Sequence, residues 1–194
     1  MQPMATDGRK NLAELRHKVE QQPDSMKAHL KLGTELARLG KADEAEKELR
    51  RAIELEPKNA GAWINLGGVL MSRFDFVGCI EANTRAAECD PSLLAAHFNC
   101  GMAHMYQNEP DLMRACFAKV VEIDPSHGSG HHHLAAALHA LGHSEQAQRH
   151  IDIAASLGHS PDPQLIKAVD NALHNHTAGG KATVEINIKP KTQN

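Results

Sequence analysis

Aromatic residues are scarce: one Trp, one Tyr and four Phe stand among 194 residues. With so few rings, the core must be built from Ala, Leu, Ile, Val and Met within the 41% hydrophobic content, a composition suited to closely packed helices. Long apolar runs are missing too. Stretches such as Leu134 to Leu138 fall far short of the roughly 18 residues of a membrane span, so no membrane insertion is expected. The N-terminal MQPMATDGRKNLAELR has no apolar h-region and does not read as a secretory signal; the expected location is the cytoplasm. Cys79, Cys89, Cys100 and Cys116 form no CxxC pair, which points to free, mostly packed thiols in a reducing compartment. A basic excess is also lacking. The formal net charge is −3, which argues against nucleic acid as a partner, because phosphate binding needs a basic footprint. No P-loop, G-x-S-x-G, HExxH or dinucleotide-binding glycine pattern occurs, so neither catalysis nor a cofactor is expected.

What the chain does have is a period. Pro23, Pro57, Pro91 and Pro125 follow one another at 34-residue steps, the mark of one supersecondary unit copied several times. In the same register Gly33, Gly67 and Gly101 align with Ala135, and Leu32, Leu66 and Leu134 with Cys100. Ala52, Ala86 and Ala154 align with Val120, and Leu49, Phe117 and Ile151 with Asn83. Each unit holds two apolar patterns of helical period separated by a short turn. The pattern predicts a helix A at 26–39, 60–73, 94–107 and 128–141, and a helix B at 42–55, 76–89, 110–123 and 144–157. Gly40, Asn108 and Gly142 occupy the turn, where a left-handed backbone is cheap, and Pro110 can open its helix B. Phe74 takes the turn position in the second unit. A bulky residue is unfavourable there, so this turn is expected to differ and Phe74 and Phe76 to be exposed.

These residues resemble the tetratricopeptide repeat, with its W-x2-L-G-x2-Y, A-x3-F and P pattern. The second unit supplies Trp63, Leu66 and Gly67, with Leu70 for the tyrosine; the first supplies Leu32, Gly33, Leu36, Ala45, Leu49, Ala52 and Pro57. Cys100, His104 and Met113 depart from the pattern in the third unit, and Ala135 and His159 in the fourth. The resemblance implies an all-α fold, a right-handed α-solenoid of helix-turn-helix hairpins. Its units would be 26–59, 60–93, 94–127 and 128–159, after an N-terminal tail and capping helix at 1–25. A capping helix at 160–176 and a flexible tail at 177–194 would follow. Leu12, Leu15 and Val19 at one end, and Leu165, Ile166, Val169 and Leu173 at the other, form the apolar stripes of such caps. In the tail, Val184, Ile186 and Ile188 alternate as in a strand after Ala178-Gly179-Gly180.

A solenoid of this family implies a protein or peptide partner in its concave groove, lined by helix A. The positions facing that groove in similar repeats carry Ile64, Phe98 and His132, then Met71, Met105 and His139, with Met102 and Tyr106 beside them. Methionine adapts to varied side chains, so this lining suits an apolar or amphipathic segment, although packing between units is the other reading. A further position carries Lys31, Asn65, Asn99 and His133. A carboxamide matches both polar groups of a peptide backbone, and Asn65 with Asn99 is similar to the asparagine ladder by which some members hold peptides. Lys27, Lys31 and Arg38 share one face of the first helix A, a basic end suited to an acidic ligand group. The family's carboxylate clamp is not expected: Asn65 matches one of its places, but Leu30, Thr34, Ala95 and Asn99 fill others.

Among 14 histidines, His29, His97 and His131 are in phase with Trp63 and read as substitutes at one packing site. His127, His132, His133, His139 and His143 remain concentrated in the fourth unit, without a Cys, Asp or Glu in a known ligand motif, so no metal site is assigned. Two alternatives stay open beside peptide binding: a scaffold that self-assembles through Phe74, Phe76 or the tail, and a His-rich metal-handling module.

Overall fold

Proline ends each repeat and a polar side chain restarts the helix in most of them. Ser25 and Asn59 accept the N–H groups of Ala28 and Ala62, and His127 accepts that of Gly130 through Nδ1, satisfying donors that a helix start leaves unpaired. The computed structural model describes the backbone of residues 4–179 and the side chains of 11–175. It contains α1 (Met4–Gln21), α2 (Met26–Arg38), α3 (Ala42–Leu55), α4 (Ala60–Ser72), α5 (Phe76–Cys89), α6 (Leu94–Tyr106), α7 (Pro110–Ile123), α8 (Gly128–Ala140), α9 (Ser144–Ser156) and α10 (Pro163–Gly179). No strand occurs among the described residues. The alternating segment at Val184, Ile186 and Ile188 lies outside them.

Helices α2 to α9 pair as four hairpins, and each second helix packs on the first helix of the next pair, which makes the chain an all-α solenoid. Small residues set the spacing: Ala45, Ala52, Ala62, Ala82, Ala86 and Ala96 are buried, as are the larger Leu32, Leu36, Leu49 and Leu66. A methyl group added at Gly101 would lie 2.7 Å from the ring of Phe117, so glycine is what lets α6 settle on that ring. The stripes at the two ends cover the stack: Leu12, Leu15 and Val19 pack on one core cluster, and Leu165, Ile166 and Leu173 on the other, with Val169 fully buried. Cys79 and Cys100 are buried, Cys116 half-buried and Cys89 exposed, all as free thiols. Burial pushes the Cys79 thiol up to about 11. No helix among the described residues is long and apolar enough to cross a membrane.

One side-chain hydrogen bond recurs at every joint. Trp63 Nε1 donates to the Pro57 carbonyl at 2.8 Å. His29, His97 and His131 reach Pro23, Pro91 and Pro125 through Nε2 at 2.9, 3.0 and 3.1 Å. Because a carbonyl can only accept, these imidazoles carry a proton on Nε2, and the shared packing site proves to be a shared latch.

The turn at Phe74 corrects the sequence expectation. It does not differ: Asp75 N–H bonds to Leu70 O at 3.0 Å, as Lys41 bonds to Leu36, Glu109 to His104 and His143 to Leu138. Phe74 therefore takes φ +60°, where the equivalent residues are Gly40 at +73°, Asn108 at +57° and Gly142 at +81°. Its ring is 77% exposed, whereas Phe76 is half-buried against the first core cluster. Left-handed backbone costs a non-glycine residue on the order of 1–2 kcal/mol, and a glycine there forfeits about 0.5–1 kcal/mol of chain entropy. Phe74→Gly is therefore expected to raise stability by up to about 1 kcal/mol in urea titrations. A lower midpoint would show that the ring's contact with Phe76 outweighs the backbone strain.

Candidate binding groove

First helices of successive hairpins touch one another, α2 on α4 and α4 on α6, so they converge on the inner side of the curve. Between them lies a cleft of about 350 Å³, lined among others by Thr34, Ile64, Asn65, Gly68, Val69 and Asn99. Gly68 has open space where a side chain would stand, which keeps the floor low beside Asn65. The cleft brings together both ladder asparagines and Ile64, three of the residues singled out from sequence. A second cleft of about 380 Å³ lies away from the groove, where Ser144 and Arg149 of α9 face Leu173 of α10.

Both carboxamides are held from behind. Asn65 Nδ2 donates to Thr34 Oγ1 at 2.9 Å, and the Thr34 hydroxyl donates in turn to the Leu30 carbonyl at 2.7 Å. Asn99 Nδ2 donates to Asn83 Oδ1 at 3.1 Å. Asn83 is fully buried on α5, and its own Nδ2 donates to the Cys79 carbonyl at 2.9 Å. Sequence reasoning gave Asn83 no role. The signal was there: it is the one polar residue in the register of Leu49, Phe117 and Ile151.

The other predicted residues divide. Phe98, Met102 and Met105 are half-buried against the second core cluster and Met71 against the first, so packing claims much of their surface and none lines the 350 Å³ cleft. Lys27 and Lys31 are exposed on α2. Arg38 pairs within its own helix: its Nε and an Nη donate to the two carboxylate oxygens of Glu35 at 2.9 and 2.6 Å, while its side chain stays exposed. Tyr106 also departs from the groove reading, because it stacks on Phe76 at 4.9 Å, and Phe76 meets Phe74 edge-on at 6.2 Å. It thus belongs to an aromatic patch at the turn edge, with Tyr106 57% exposed and Val77 69%.

The fourth repeat gathers imidazoles around a ring. His133 stacks on Phe117 at 4.9 Å and meets Phe98 edge-on at 5.6 Å. His132 lies 5.0 Å from His133 and 5.3 Å from His159, centroid to centroid. Burial first, then the neighbouring His132, His159 and His127, push the His133 pKa down to about 4. His132 is lowered for the same leading reason, against an opposing pull from Asp162. Nδ1 of His132 and of His139 is buried without a hydrogen-bond partner. Among the described residues no group of three His, Cys, Asp or Glu side chains is placed to hold a metal ion.

Known proteins place this architecture. Tetratricopeptide repeat models match residues 26–69 and 94–127. Among solved structures the chain is similar to a crystal structure of MamA, with a TM-score of 0.75, 19% identity, and 79% of this chain and 90% of that one covered. It is also similar to MamA, residue 41 to the end, from Desulfovibrio magneticus RS-1, at a TM-score of 0.72, 18% identity and coverage of 78% and 85%. YrrB, reported as a TPR protein with an unusual peptide-binding site, gives a TM-score of 0.69, 22% identity and coverage of 89% and 85%. None of the curated proteins matches the sequence. At these identities the structural similarity speaks for the fold. The chain belongs to the tetratricopeptide repeat family, whose proteins generally mediate protein–protein interactions as non-catalytic scaffolds.

Proposed function

We propose that this protein is a cytoplasmic, non-enzymatic adaptor that holds an extended or amphipathic segment of a partner protein across α2, α4 and α6. One observation carries the reading: the inner cleft sets two pinned carboxamides, Asn65 and Asn99, beside the apolar Ile64. That pairing suits a backbone gripped by hydrogen bonds with an apolar side chain beside it. The peptide-binding site reported for YrrB adds support by analogy of fold. Lys27 and Lys31 favour an acidic residue toward the α2 end, and His132, His133 and His139 border the far end. Pull-down with wild type and the Asn65→Ala/Asn99→Ala double variant, read by mass spectrometry, tests this. Two net hydrogen bonds at about 0.5–1.5 kcal/mol each correspond to roughly tenfold or more in affinity. Capture of the same partners at equal affinity by the double variant, with an unchanged helical signal, would reject the groove.

Self-association is favoured by a different observation, the exposed Phe74, Val77 and Tyr106 at the turn edge. It predicts a sedimentation coefficient that rises with concentration and returns to the monomer value in Phe74→Ser. A coefficient independent of concentration would remove self-association.

A further inference from the structure

We propose that Asn83 is a positioning residue that fixes the polarity of the Asn99 rung, so that the groove selects a segment presenting a free backbone N–H at that rung. This rests on the peptide-groove reading above and deepens it. The argument starts at a group that cannot change roles. The Cys79 carbonyl only accepts, so the Asn83 amide nitrogen must face it, at 2.9 Å, with Cys79 Sγ at 3.4 Å on the same nitrogen. Asn83 Oδ1 must then point toward α6. An amide oxygen only accepts as well, so Asn99 must turn its Nδ2 inward, at 3.1 Å. Its Oδ1 is left facing away from that bond, as a fixed acceptor.

Asn65 reaches the same polarity by an independent route. The Thr34 hydroxyl donates its only proton to the Leu30 carbonyl at 2.7 Å, leaving Oγ1 to accept, and Asn65 must therefore give Nδ2, at 2.9 Å. Both rungs thus offer Oδ1, and an extended ligand meets them with N–H groups. Proline has none, so the rungs select against it, and against N-methylated residues, at these two positions. The orientation at Asn99 would not survive an apolar residue at 83, which is what the other three repeats carry. Burying a carboxamide there is costly unless both ends are bonded, and Asn83 bonds at both ends.

The neighbouring repeat supplies a mild replacement. Gly67 faces Asn83 closely, its added methyl falling 2.1 Å from Asn83 Nδ2, as Gly33 faces Leu49 at 2.7 Å from Cγ. Asn83→Leu therefore copies a packing the chain already uses. The probes are random peptides displayed on phage, selected on wild type, and resynthesised with a backbone N-methyl group walked along each. On wild type, two positions are expected to lose about threefold to tenfold on methylation, the worth of one hydrogen bond. The penalty at one of them should vanish in Asn99→Ala and shrink in Asn83→Leu, while the other penalty, belonging to Asn65, persists in both. In parallel, nitrogen relaxation should show the wild-type Asn99 side-chain amide as rigid as the backbone, becoming mobile in Asn83→Leu while Asn65 stays rigid. Peptides that bind Asn65→Ala/Asn99→Ala as well as wild type would overturn the groove reading. Peptides weakened by Asn99→Ala but untouched by Asn83→Leu, or an Asn99 amide already mobile in wild type, would overturn the role of Asn83 and leave the groove standing.

Discussion

Replacing Phe117 with alanine is expected to cost about 3–5 kcal/mol, the largest single-residue effect in this chain. The ring is fully buried, packed on Gly101, stacked on His133 at 4.9 Å and edge-on to Phe98 at 5.4 Å. Solenoid stability is a sum over repeats and their interfaces, so the loss should be local at first. Hydrogen exchange is expected to quicken in α6 to α9 while α2 to α5 keep their protection, and the urea midpoint of the last two hairpins should fall. A loss below about 1 kcal/mol would mean that the surrounding helices close over the cavity.

Acidification should loosen the same region. The folded-state pKa of His133 lies near 4, against an ordinary value of 6.5, so the unfolded chain binds the proton more tightly. Its contribution to stability is complete above pH 6.5 and is lost as the pH falls from there through 4. By pH 5 the loss comes to roughly 1–2 kcal/mol once solvent screening is allowed for. His132 shifts the same way and adds to the slope, with His127 and His159 opposing further charge. Denaturation midpoints between pH 7 and 5 should drop more for wild type than for His133→Phe, which keeps a ring on Phe117 but has no proton to take. Parallel curves for the two proteins would remove His133 as the cause. Phe117→Ala gives a cross-check, since opening the pocket to water should bring the His133 pKa back toward 6.5 and flatten its share of the profile.

The solenoid was legible because its determinants are short-range and repeated. Pro23, Pro57, Pro91 and Pro125 end what precedes them, and the eight hairpin helices begin at Met26, Ala42, Ala60, Phe76, Leu94, Pro110, Gly128 and Ser144, the residues at which the apolar period predicts them. Periodicity places a residue on a face; it does not say which neighbour claims its side chain. Arg38 falls on the inner helix yet turns to Glu35 one turn away, and Tyr106 closes its helix against a ring from the preceding repeat. The misjudged turn at Phe74 has a similar origin. Local preference disfavours phenylalanine there, but packing of α4 on α5 fixes the turn geometry and the residue conforms. Asn83 was invisible for the opposite reason: its register called for an apolar side chain, so a polar one read as a tolerated exception.

The proline latches are not equally braced from one joint to the next. At Pro57 the latch is an indole, which cannot lose its donor role with pH. At Pro23 the latching imidazole is braced on its other nitrogen by Glu48 at 2.6 Å, and at Pro125 by His150 at 2.9 Å. His97 holds Pro91 with that one bond and is the least enclosed of the three imidazoles. This joint lies between the repeat that carries Asn65 and the repeat that carries Asn99, and the Asn99–Asn83 bond and the Tyr106–Phe76 stack also cross it. An occupant that changed the spacing of the two rungs would have to break those contacts, so what the imidazole leaves unbraced the carboxamides and the rings hold.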